Sequence, residues 1–579
     1  MAEDLDSVNG PGYTLDRRTV LKLLGAMGMT GTAASSTMAA ETKASGSNGE
    51  FDPIEATVTD VISAIIDGNA TAANIVETYL GRIEAYDEAL NSIINVNPNA
   101  VDRAEKLDEQ FDKSGPVGPL HGVPIVLKDN YDTGDLPTTG ASLALEDSIP
   151  PDDAYMVERL REAGAVVIAK ANLHEYALGG TTVSSLGGAT RNAYDLGRTP
   201  AGSSGGTGAA VAANLAVFGT GSDTGGSIRM PAAYGDLVGL RPTLGVLSRD
   251  GIIPISLTKD TGGYLTRTVT DTALALDATV GYDPTDRYTA RAADKIPTEE
   301  SPLPEDSYTE YLTLDGLEGA RIGVYRDFFG IKADLVEGEV ENEDQAREDA
   351  AEVTAVVEQA LEDMEELGAT IIDPVSVGPL DELNEMIEAA DTPEAERKRD
   401  LNGYFDSLGD DAEIESVEEL VESELYACDI AELLREENEA STDDLEEKLL
   451  SSYGGRVVLR NAVLTMMADN GLDTIVYPTL ARSPSPIGEE LNGYGLDFSP
   501  EADMPAISVP AGFTEDDHLP VGIELVARRF DDPLLLNLAY AYEQGTDHRH
   551  PPGGFGTLPN EPPEVEEEYT VPVAENGCD

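Results

Sequence analysis

Apolar residues in the segment that follows residue 50 recur with the period of a helix. Between residues 53 and 112 they fall three or four positions apart, a spacing that places them on one helix face. The members of this pattern are Ile54, Val58, Val61, Ile62, Ile65 and Ile66, followed by Ile75, Tyr79, Leu80 and Ile83. The spacing predicts amphipathic helices at the start of the folded part of the chain.

Short apolar runs bounded by glycine or proline follow further along the chain. They lie at 123–127, 165–169, 215–218, 320–325, 474–477 and 521–526, and their length is typical of buried strands. Helical patterns separate several of these runs, at 153–163, 206–216, 269–279, 345–367 and 532–544. Strands that alternate with helices predict an α/β fold with helices on both faces of a sheet.

Two segments depart from this alternation. Residues 335–470 have the pattern of mostly acidic helices, which we interpret as an insertion packed on the sheet or over a cleft. Residues 551–579 are rich in proline and glutamate and predict a flexible acidic tail. The intervening fold is therefore expected to occupy residues 51–550.

Residues 1–50 have the features of an export signal followed by a flexible linker. Arg17 and Arg18 precede a mildly apolar run that is too short to span a membrane. The pair resembles a twin-arginine signal, so we expect an extracellular or cell-surface protein, or a cytoplasmic one if the signal is not functional.

The composition is strongly acidic. The chain has 110 Asp and Glu residues against 37 Lys and Arg residues, a formal net charge of −73. Such a chain repels nucleic acid and anionic lipid, so neither nucleic acid nor, after export, a membrane is expected as a partner. The acid is spread along most of the chain, which favours a solvated surface adapted to high salt over a set of acidic interaction tails.

The stretch GTGSDTGGSIRMPA (219–232) raises the question of chemistry, because it places Ser227 directly after two glycines. A serine hydroxyl needs a base beside it to act as a nucleophile. None of the five histidines lies in a catalytic or zinc-binding motif. Cys428 and Cys578 predict neither a disulfide framework nor a catalytic cysteine, and no metal or cofactor is expected.

Two other serine motifs fail on their context. Ser204 fits the pattern G-x-S-x-G, but a polar loop precedes it where a nucleophile elbow needs a buried strand. Ser256 and Lys259 fit S-x-x-K, but no helical pattern surrounds them. Lysine remains as a base: Lys128 follows the apolar run 123–127, and burial of a lysine lowers its pKa.

Three segments together resemble the amidase signature family. They are LHGVPIVLKDN (120–130), GRTPAGSSGGTGAAVAANLA (197–216) and GTGSDTGGSIRMPAAYGDLVGLRPT (219–243). Their order and spacing are those of the family, with 75 residues from Lys128 to Ser203 and 24 from Ser203 to Ser227. The resemblance covers residues 53–548.

The resemblance implies a single large α/β/α fold around a central mixed sheet, and a Ser–Ser–Lys triad. In that triad Ser227 is the nucleophile that forms the acyl-enzyme, Ser203 is the bridging serine and Lys128 is the base. The family holds the bridging serine by a cis peptide with the preceding residue, here Gly202.

The resemblance also implies an oxyanion hole formed by the backbone N–H groups of Thr224, Gly225, Gly226 and Ser227. Three residues differ from those usual in the family, namely Ala201, Ser222 and Lys259. Of these we expect only Ala201 to lie close to the site.

The function expected is hydrolysis of a small-molecule or peptide amide to a carboxylate and ammonia or an amine. One alternative is the glutaminase (A) subunit of a tRNA-dependent glutamyl or aspartyl amidotransferase, which an export signal argues against. A non-catalytic binding protein is the other, and it would need a broken triad. The substrate, the role of residues 335–470 in specificity, the signal cleavage site and the oligomeric state, with a homodimer as one possibility, stay open.

Overall fold

The computed structural model describes residues 51–293, 307–331, 343–409, 412–489, 491, 498–515, 518–560, 562–565 and 569–578. The predicted export signal with Arg17 and Arg18 lies outside these residues. In the described part of the chain, no helix is both long and apolar enough to cross a bilayer.

A mixed sheet of eleven strands forms the centre of the fold. The strands are β1 (Ile93–Val96), β2 (Pro124–Lys128), β3 (Val166–Ala171), β6 (Phe218–Asp223), β7 (Val238–Arg241), β8 (Thr261–Thr266), β9 (Arg321–Tyr325), β10 (Thr370–Val375), β11 (Thr474–Pro478), β12 (Ala506–Phe513) and β13 (Pro520–Val526). Their order is β1-β3-β2-β6-β8-β7-β12-β13-β11-β9-β10. A separate hairpin pairs β4 (Val183–Ser184) with β5 (Gly188–Ala189).

The direction of the strands brings two polar strand ends together. Strand β2 runs parallel to both β3 and β6, and Val126 pairs with Gly219. Because the carboxyl ends of parallel neighbours meet at one edge of a sheet, Lys128 and Asp223 end their strands side by side. This edge carries the candidate site.

Helices cover both faces of the sheet, which confirms the predicted α/β/α fold with a mixed central sheet. They are α1 (Val58–Ile66), α2 (Ala72–Leu90), α3 (Ala100–Ser114), α4 (Tyr155–Glu162), α5 (Gly205–Ala212), α6 (Arg229–Tyr234), α7 (Val269–Thr279), α8 (Ala290–Ala293), α9 (Glu343–Glu366), α10 (Leu380–Ala390), α11 (Glu394–Ser407), α12 (Val417–Ser423), α13 (Ala431–Glu439), α14 (Leu445–Asn470), α15 (Phe498–Glu501) and α16 (Asp532–Thr546). Helix α1 begins at a capping box, in which Thr57 and Asp60 each accept a hydrogen bond from the other's backbone N–H.

The acidic region 335–470 is mostly helical where it is described, and it adds a second, smaller core. Helix α9 packs against the sheet strands β11–β13, whereas α11, α12 and α13 bury their own apolar cluster around Phe405, Val417 and Leu434. Helices α10 and α14 cross at Gly455, where Oγ of Ser452 donates to the carbonyl of Ala390 at 2.8 Å.

The end of the chain differs from the flexible tail that its composition predicts. Ala574 packs into the small core of the acidic region, and Val573 pairs with Ala427. A disulfide joins Cys428 to Cys578, although nothing in the sequence pattern predicted a disulfide. The pairing was not visible in the sequence because 150 residues separate the two cysteines.

Candidate active site

Lys128 occupies the end of β2 and has no exposed surface. Its Nζ lies 2.7 Å from Oγ of Ser203 and 2.9 Å from Oγ of Ser222. Burial lowers the pKa of Lys128 to about 7, even though Asp223 and Asp260 act in the opposite direction. A lysine in this state is available as a base near neutral pH.

Ser203 lies in the turn that leads into α5. The Gly202–Ser203 peptide bond is cis, as the resemblance implies. The backbone N–H of His174 donates to the carbonyl of Ser203 at 3.0 Å. The start of α5 packs so closely against the end of β3 that a methyl group on Gly206 would overlap the backbone of Asn172.

Ser227 lies in the turn between β6 and α6, and its carbonyl accepts a hydrogen bond of 3.2 Å from the N–H of Ser204. This bond joins the turn of Ser227 to the turn of Ser203. Ser227 is 8% exposed and lines the pocket described below, whereas Ser203 and Lys128 have no exposed surface. Of the three predicted residues, Ser227 is thus the one that a ligand in the pocket reaches.

The four predicted oxyanion donors are not equivalent. Gly226 has φ of 123°, a conformation that glycine readily adopts, and its N–H donates to Oδ1 of Asp223 at 2.9 Å. The N–H of Gly226 is therefore already hydrogen-bonded to Asp223 and is not free to bind an oxyanion. Thr224, Gly225 and Ser227 all line the pocket, and their amides are the remaining donors of the predicted set.

A buried network of charges supports the turn of Ser227. Asp223 accepts from the N–H of Ile228 at 3.1 Å and from Nε of Arg229 at 3.1 Å, and it also contacts Arg241. Burial by itself would raise the pKa of Asp223, but Arg229 and Arg241 hold it well below its usual range. Nη1 of Arg229 also donates to Glu524 at 2.7 Å, so the two carboxylates share one buried cation.

The pocket in front of Ser227 has a volume of about 700 Å³. His174 lines it, and the N–H of Thr181 donates to Nδ1 of this histidine at 3.3 Å. The ring proton then sits on Nε2, which faces Oδ2 of Asp429 at 2.9 Å. Apolar side chains that include Met230 and Leu433 form one part of the remaining wall, and polar and charged side chains form the rest.

The expectation that only Ala201 among the three unusual residues lies close to the site is wrong. Ser222 contacts Nζ of Lys128 directly and also accepts from Nδ2 of Asn130 at 3.0 Å. Lys259 lines the pocket and forms an ion pair with Glu501. Ser222 is the last residue but one of β6, and the antiparallel partner strand β8 brings Lys259 to the same edge.

The two dismissed serine motifs stay unsupported by the geometry. Ser204 is fully buried, and its Oγ donates to the carbonyl of Ser222 at 3.4 Å. Ser256 bonds to Asp260 through its backbone N–H. Among the described residues, no three His, Cys, Asp or Glu side chains come together in a way that could hold a metal ion.

Sequence reasoning missed Asp223, Arg229, Ser222 and His174 as residues of the site. A signal for Asp223 and Arg229 exists, since both are charged residues within a segment of glycine and small residues that predicts burial. His174 follows the strand-like run 165–169 and resembles any other histidine in a loop.

Known proteins of similar sequence and structure match most of this chain. The sequence model of the family Amidase matches residues 74–536. The chain is 33% identical over 502 residues to the A subunit of the glutamyl-tRNA(Gln) amidotransferase from Caldanaerobacter subterraneus, a match that covers 84% of this chain and 95% of that protein. It is 31% identical over 534 residues to a probable amidase from Arabidopsis thaliana, a match that covers 87% of this chain and 92% of that protein. The X-ray structure of native peptide amidase from Stenotrophomonas maltophilia aligns with a TM-score of 0.72 at 32% identity, covering 86% of this chain and 98% of that one.

Proposed function

Because the chain belongs to the amidase family, we propose that it hydrolyses carbon–nitrogen amide bonds through an acyl-enzyme on Ser227, with Ser203 as proton relay and Lys128 as base. The observation that carries this proposal is the contact of 2.7 Å between Nζ of a fully buried Lys128 and Oγ of Ser203. Burial keeps a substantial fraction of the amine neutral near pH 7, because it lowers the pKa of Lys128 to about 7.

The first step is the attack of Ser227 on the amide carbonyl. Lys128 accepts the hydroxyl proton of Ser203 while Ser203 accepts that of Ser227, and Oγ of Ser227 bonds to the carbonyl carbon. The negative charge that develops on the carbonyl oxygen faces the amides of Thr224, Gly225 and Ser227.

The second step breaks the carbon–nitrogen bond. Protonated Lys128 returns a proton through Ser203 to the leaving nitrogen, which departs as ammonia or an amine and leaves an ester on Ser227. A water molecule, deprotonated along the same relay, then attacks this ester, and the carboxylate product leaves with Ser227 protonated again.

The place of action that we propose is outside the cytoplasm and at high salt. The Arg17–Arg18 pair supports export, and the Cys428–Cys578 disulfide supports an oxidising compartment, since disulfides are rare in the cytosol. The net charge of −73 supports a surface suited to high salt, where counterions screen its self-repulsion.

A second candidate function is that of the glutaminase component of an amidotransferase, because a relative that is 33% identical has this name. Such a component would release ammonia from glutamine as one part of an assembly. A free hydrolase would instead act on an amide of its own without other protein chains.

The experiment that tests the proposed chemistry replaces Lys128 with methionine, which has similar size and no charge. Lys128→Met and Ser227→Ala should each lower kcat by at least about a thousandfold while the fold persists, because each removes an obligatory part of the relay. Lys448→Met is the matched control, since Lys448 is an exposed lysine paired with Asp444.

Mass spectrometry of acid-quenched wild-type enzyme should show the acyl group on the peptide that contains Ser227. Full activity of Ser227→Ala would refute the assignment.

The experiment that separates the two candidates is an assay of ammonia release by the purified chain alone in molar salt. Acetamide, benzamide, C-terminal peptide amides and glutamine form the panel. We expect turnover of at least one amide other than glutamine. Release from glutamine alone, and only after addition of other proteins, would favour the amidotransferase function.

A further inference from the structure

The last described residues of the chain form one side of the pocket in front of Ser227. We use the name C-terminal strap for residues 569–578. Tyr569, Val571 and Pro572 of this strap line the pocket together with Leu433 and with Ser227 itself. The ring of Tyr569 lies so close to Gly488 that a side chain at position 488 would collide with it.

Backbone pairing and a disulfide hold the C-terminal strap in place. The N–H of Cys428 donates to the carbonyl of Pro572 at 2.8 Å, and the N–H of Ala574 donates to the carbonyl of Tyr426 at 2.9 Å. The disulfide between Cys428 and Cys578 closes the far end. The N–H of Glu575 donates to the carbonyl of Glu424 at 2.8 Å as a third backbone hydrogen bond. These three bonds and one small buried side chain, Ala574, still allow local opening of the strap, and the covalent bond restricts its position further.

The segment that receives the strap is itself fixed to the body of the protein. Oε2 of Glu175 accepts from the N–H of Ala427 at 2.9 Å and from the N–H of Ser185 at 2.8 Å. The next residue after the bridging Cys428 is Asp429, which pairs with His174 at the pocket. The anchor of the strap is thus one residue away from a hydrogen bond of the pocket wall.

The strap side of the pocket is chemically suited to an apolar group. Tyr569 and Val571 face the same space as Met230, Leu433 and Leu491. An amide with a bulky apolar substituent would bury that substituent against this wall and gain affinity in proportion to the apolar area removed from water. A small amide such as acetamide is too short to depend on it to the same degree.

We propose that the C-terminal strap determines selectivity for amides with bulky apolar groups, and that the Cys428–Cys578 disulfide makes this selectivity sensitive to reduction. The inference rests on the proposed hydrolase function and names its substrate class and regulation. Reduction by a dithiol adds two electrons and two protons across the sulfur–sulfur bond, which breaks to give two thiols while the dithiol becomes a disulfide. The released strap then no longer holds Tyr569 and Val571 against the pocket.

The test compares kcat/KM for N-benzoylphenylalaninamide with that for acetamide in the full chain. In Cys578→Ser, in Tyr569→Ala and in wild-type enzyme treated with dithiothreitol, the ratio of the two values should fall about tenfold, mainly through KM for the bulky amide. Tyr311→Ala is the matched control, because Tyr311 and Tyr569 are both 39% exposed and Tyr311 lies outside the pocket. Dithiothreitol should have no further effect on Cys578→Ser. An unchanged ratio in all three cases would overturn the inference.

A binding measurement separates failure of this inference from failure of the proposed function. Calorimetric titration of N-benzoylphenylalaninamide into Ser227→Ala should give an affinity about tenfold higher than titration into Ser227→Ala/Cys578→Ser. This readout does not depend on turnover. Equal affinities would overturn the role of the strap, whereas absence of ammonia release by wild-type enzyme with intact binding would count against the hydrolase alone.

Discussion

A neutral lysine has two N–H donors and one lone pair, and the neighbours of Lys128 decide where that lone pair points. The hydroxyl and the carbonyl of Ser222 lie 2.9 Å and 3.5 Å from Nζ. Both can accept the two N–H groups, since a hydroxyl oxygen has two lone pairs and Nδ2 of Asn130 occupies only one of them. The lone pair of the amine is then directed at Oγ of Ser203, which is the orientation that proton transfer needs.

Replacement of Ser222 tests this orientation. In Ser222→Ala we expect kcat to fall about tenfold with KM little changed, since one acceptor for Lys128 is lost while the pocket is intact. Ser222→Thr keeps the hydroxyl and should restore most of the rate. Steady-state kinetics of the two variants provide the check, and equal losses in both would show that packing, not the hydroxyl, matters at this position.

The proposed mechanism predicts that the acidic limb of the pH profile reports the ionisation of Lys128. The pKa of Lys128 in the folded protein is lowered to about 7, so the base becomes protonated as pH falls through that value. We expect kcat/KM to decrease about tenfold per pH unit below the limb, because only the neutral amine accepts a proton. Initial rates between pH 5 and pH 9 measure it. A profile that is flat down to pH 5 would exclude Lys128 as the base.

At the scale of elements, close contacts of backbone decide where glycine is required. Gly454 and Gly455 are neighbours on α14, but they face different surroundings. A methyl group on Gly455 would overlap the carbonyl of Ala389 on α10, whereas nothing lies within 4 Å of one on Gly454. Of these two glycines, only Gly455 is required for the close crossing of α10 and α14.

These two glycines form a matched pair of substitutions. Gly454→Ala should raise the free energy of unfolding by about 0.5–1 kcal/mol, because alanine has a higher helix propensity than glycine at an exposed position within a helix. Gly455→Ala should lower it by about 1–3 kcal/mol, because the helices must move apart. Chemical denaturation measures both values. Identical shifts would mean that the helix crossing is not held as described.

The sequence pattern predicted strands in which apolar residues predominate, including β9 and β13, although each of these contains one glycine. The run 474–477 predicted β11 closely, and 269–279 coincides with α7. Strands β8 (TGGYLT) and β12 (AISVPAGF) were not predicted, because two adjacent glycines interrupt the apolar residues of β8 and a serine and a proline interrupt those of β12. In strand β6, Gly219 follows Phe218, and a side chain at position 219 would collide with Thr207 of α5 and Val126 of β2. That requirement is set by tertiary packing and is invisible to local periodicity.

The same distinction applies to the site. The burial of Lys128 was predictable because this lysine followed four apolar residues, and the three-part resemblance linked it to Ser203, which it contacts. The role of Ser222 was not predictable, since nothing local distinguishes a serine whose hydroxyl meets a buried amine from one that points elsewhere. The pairing of Cys428 with Cys578 also depends on how distant segments pack.

At the scale of the whole molecule, we expect the net charge of −73 to influence the pKa of the buried amine of Lys128. A negative field favours the protonated form of Lys128 and so raises its pKa, and salt screens that field. We expect the acidic limb of kcat/KM to move to lower pH as the salt concentration rises. The comparison uses only salt concentrations at which circular dichroism shows an intact fold, with sucrose as an uncharged control solute. A limb that is independent of salt over this range would contradict the coupling.

The crowding of glycines around the two serine turns has a consequence for how such an enzyme acquires new substrates. Gly206 and Gly219 admit no larger residue without displacing backbone or packed side chains, so variation at the centre is costly. The rim is built from distant segments, among them α13 with Leu433 and the strap with Val571, whose side chains face the pocket without supporting the sheet. Changes in substrate specificity are therefore expected at the rim. Mutant libraries that vary only rim residues can be screened for activity on new amides while the residues at the centre stay unchanged.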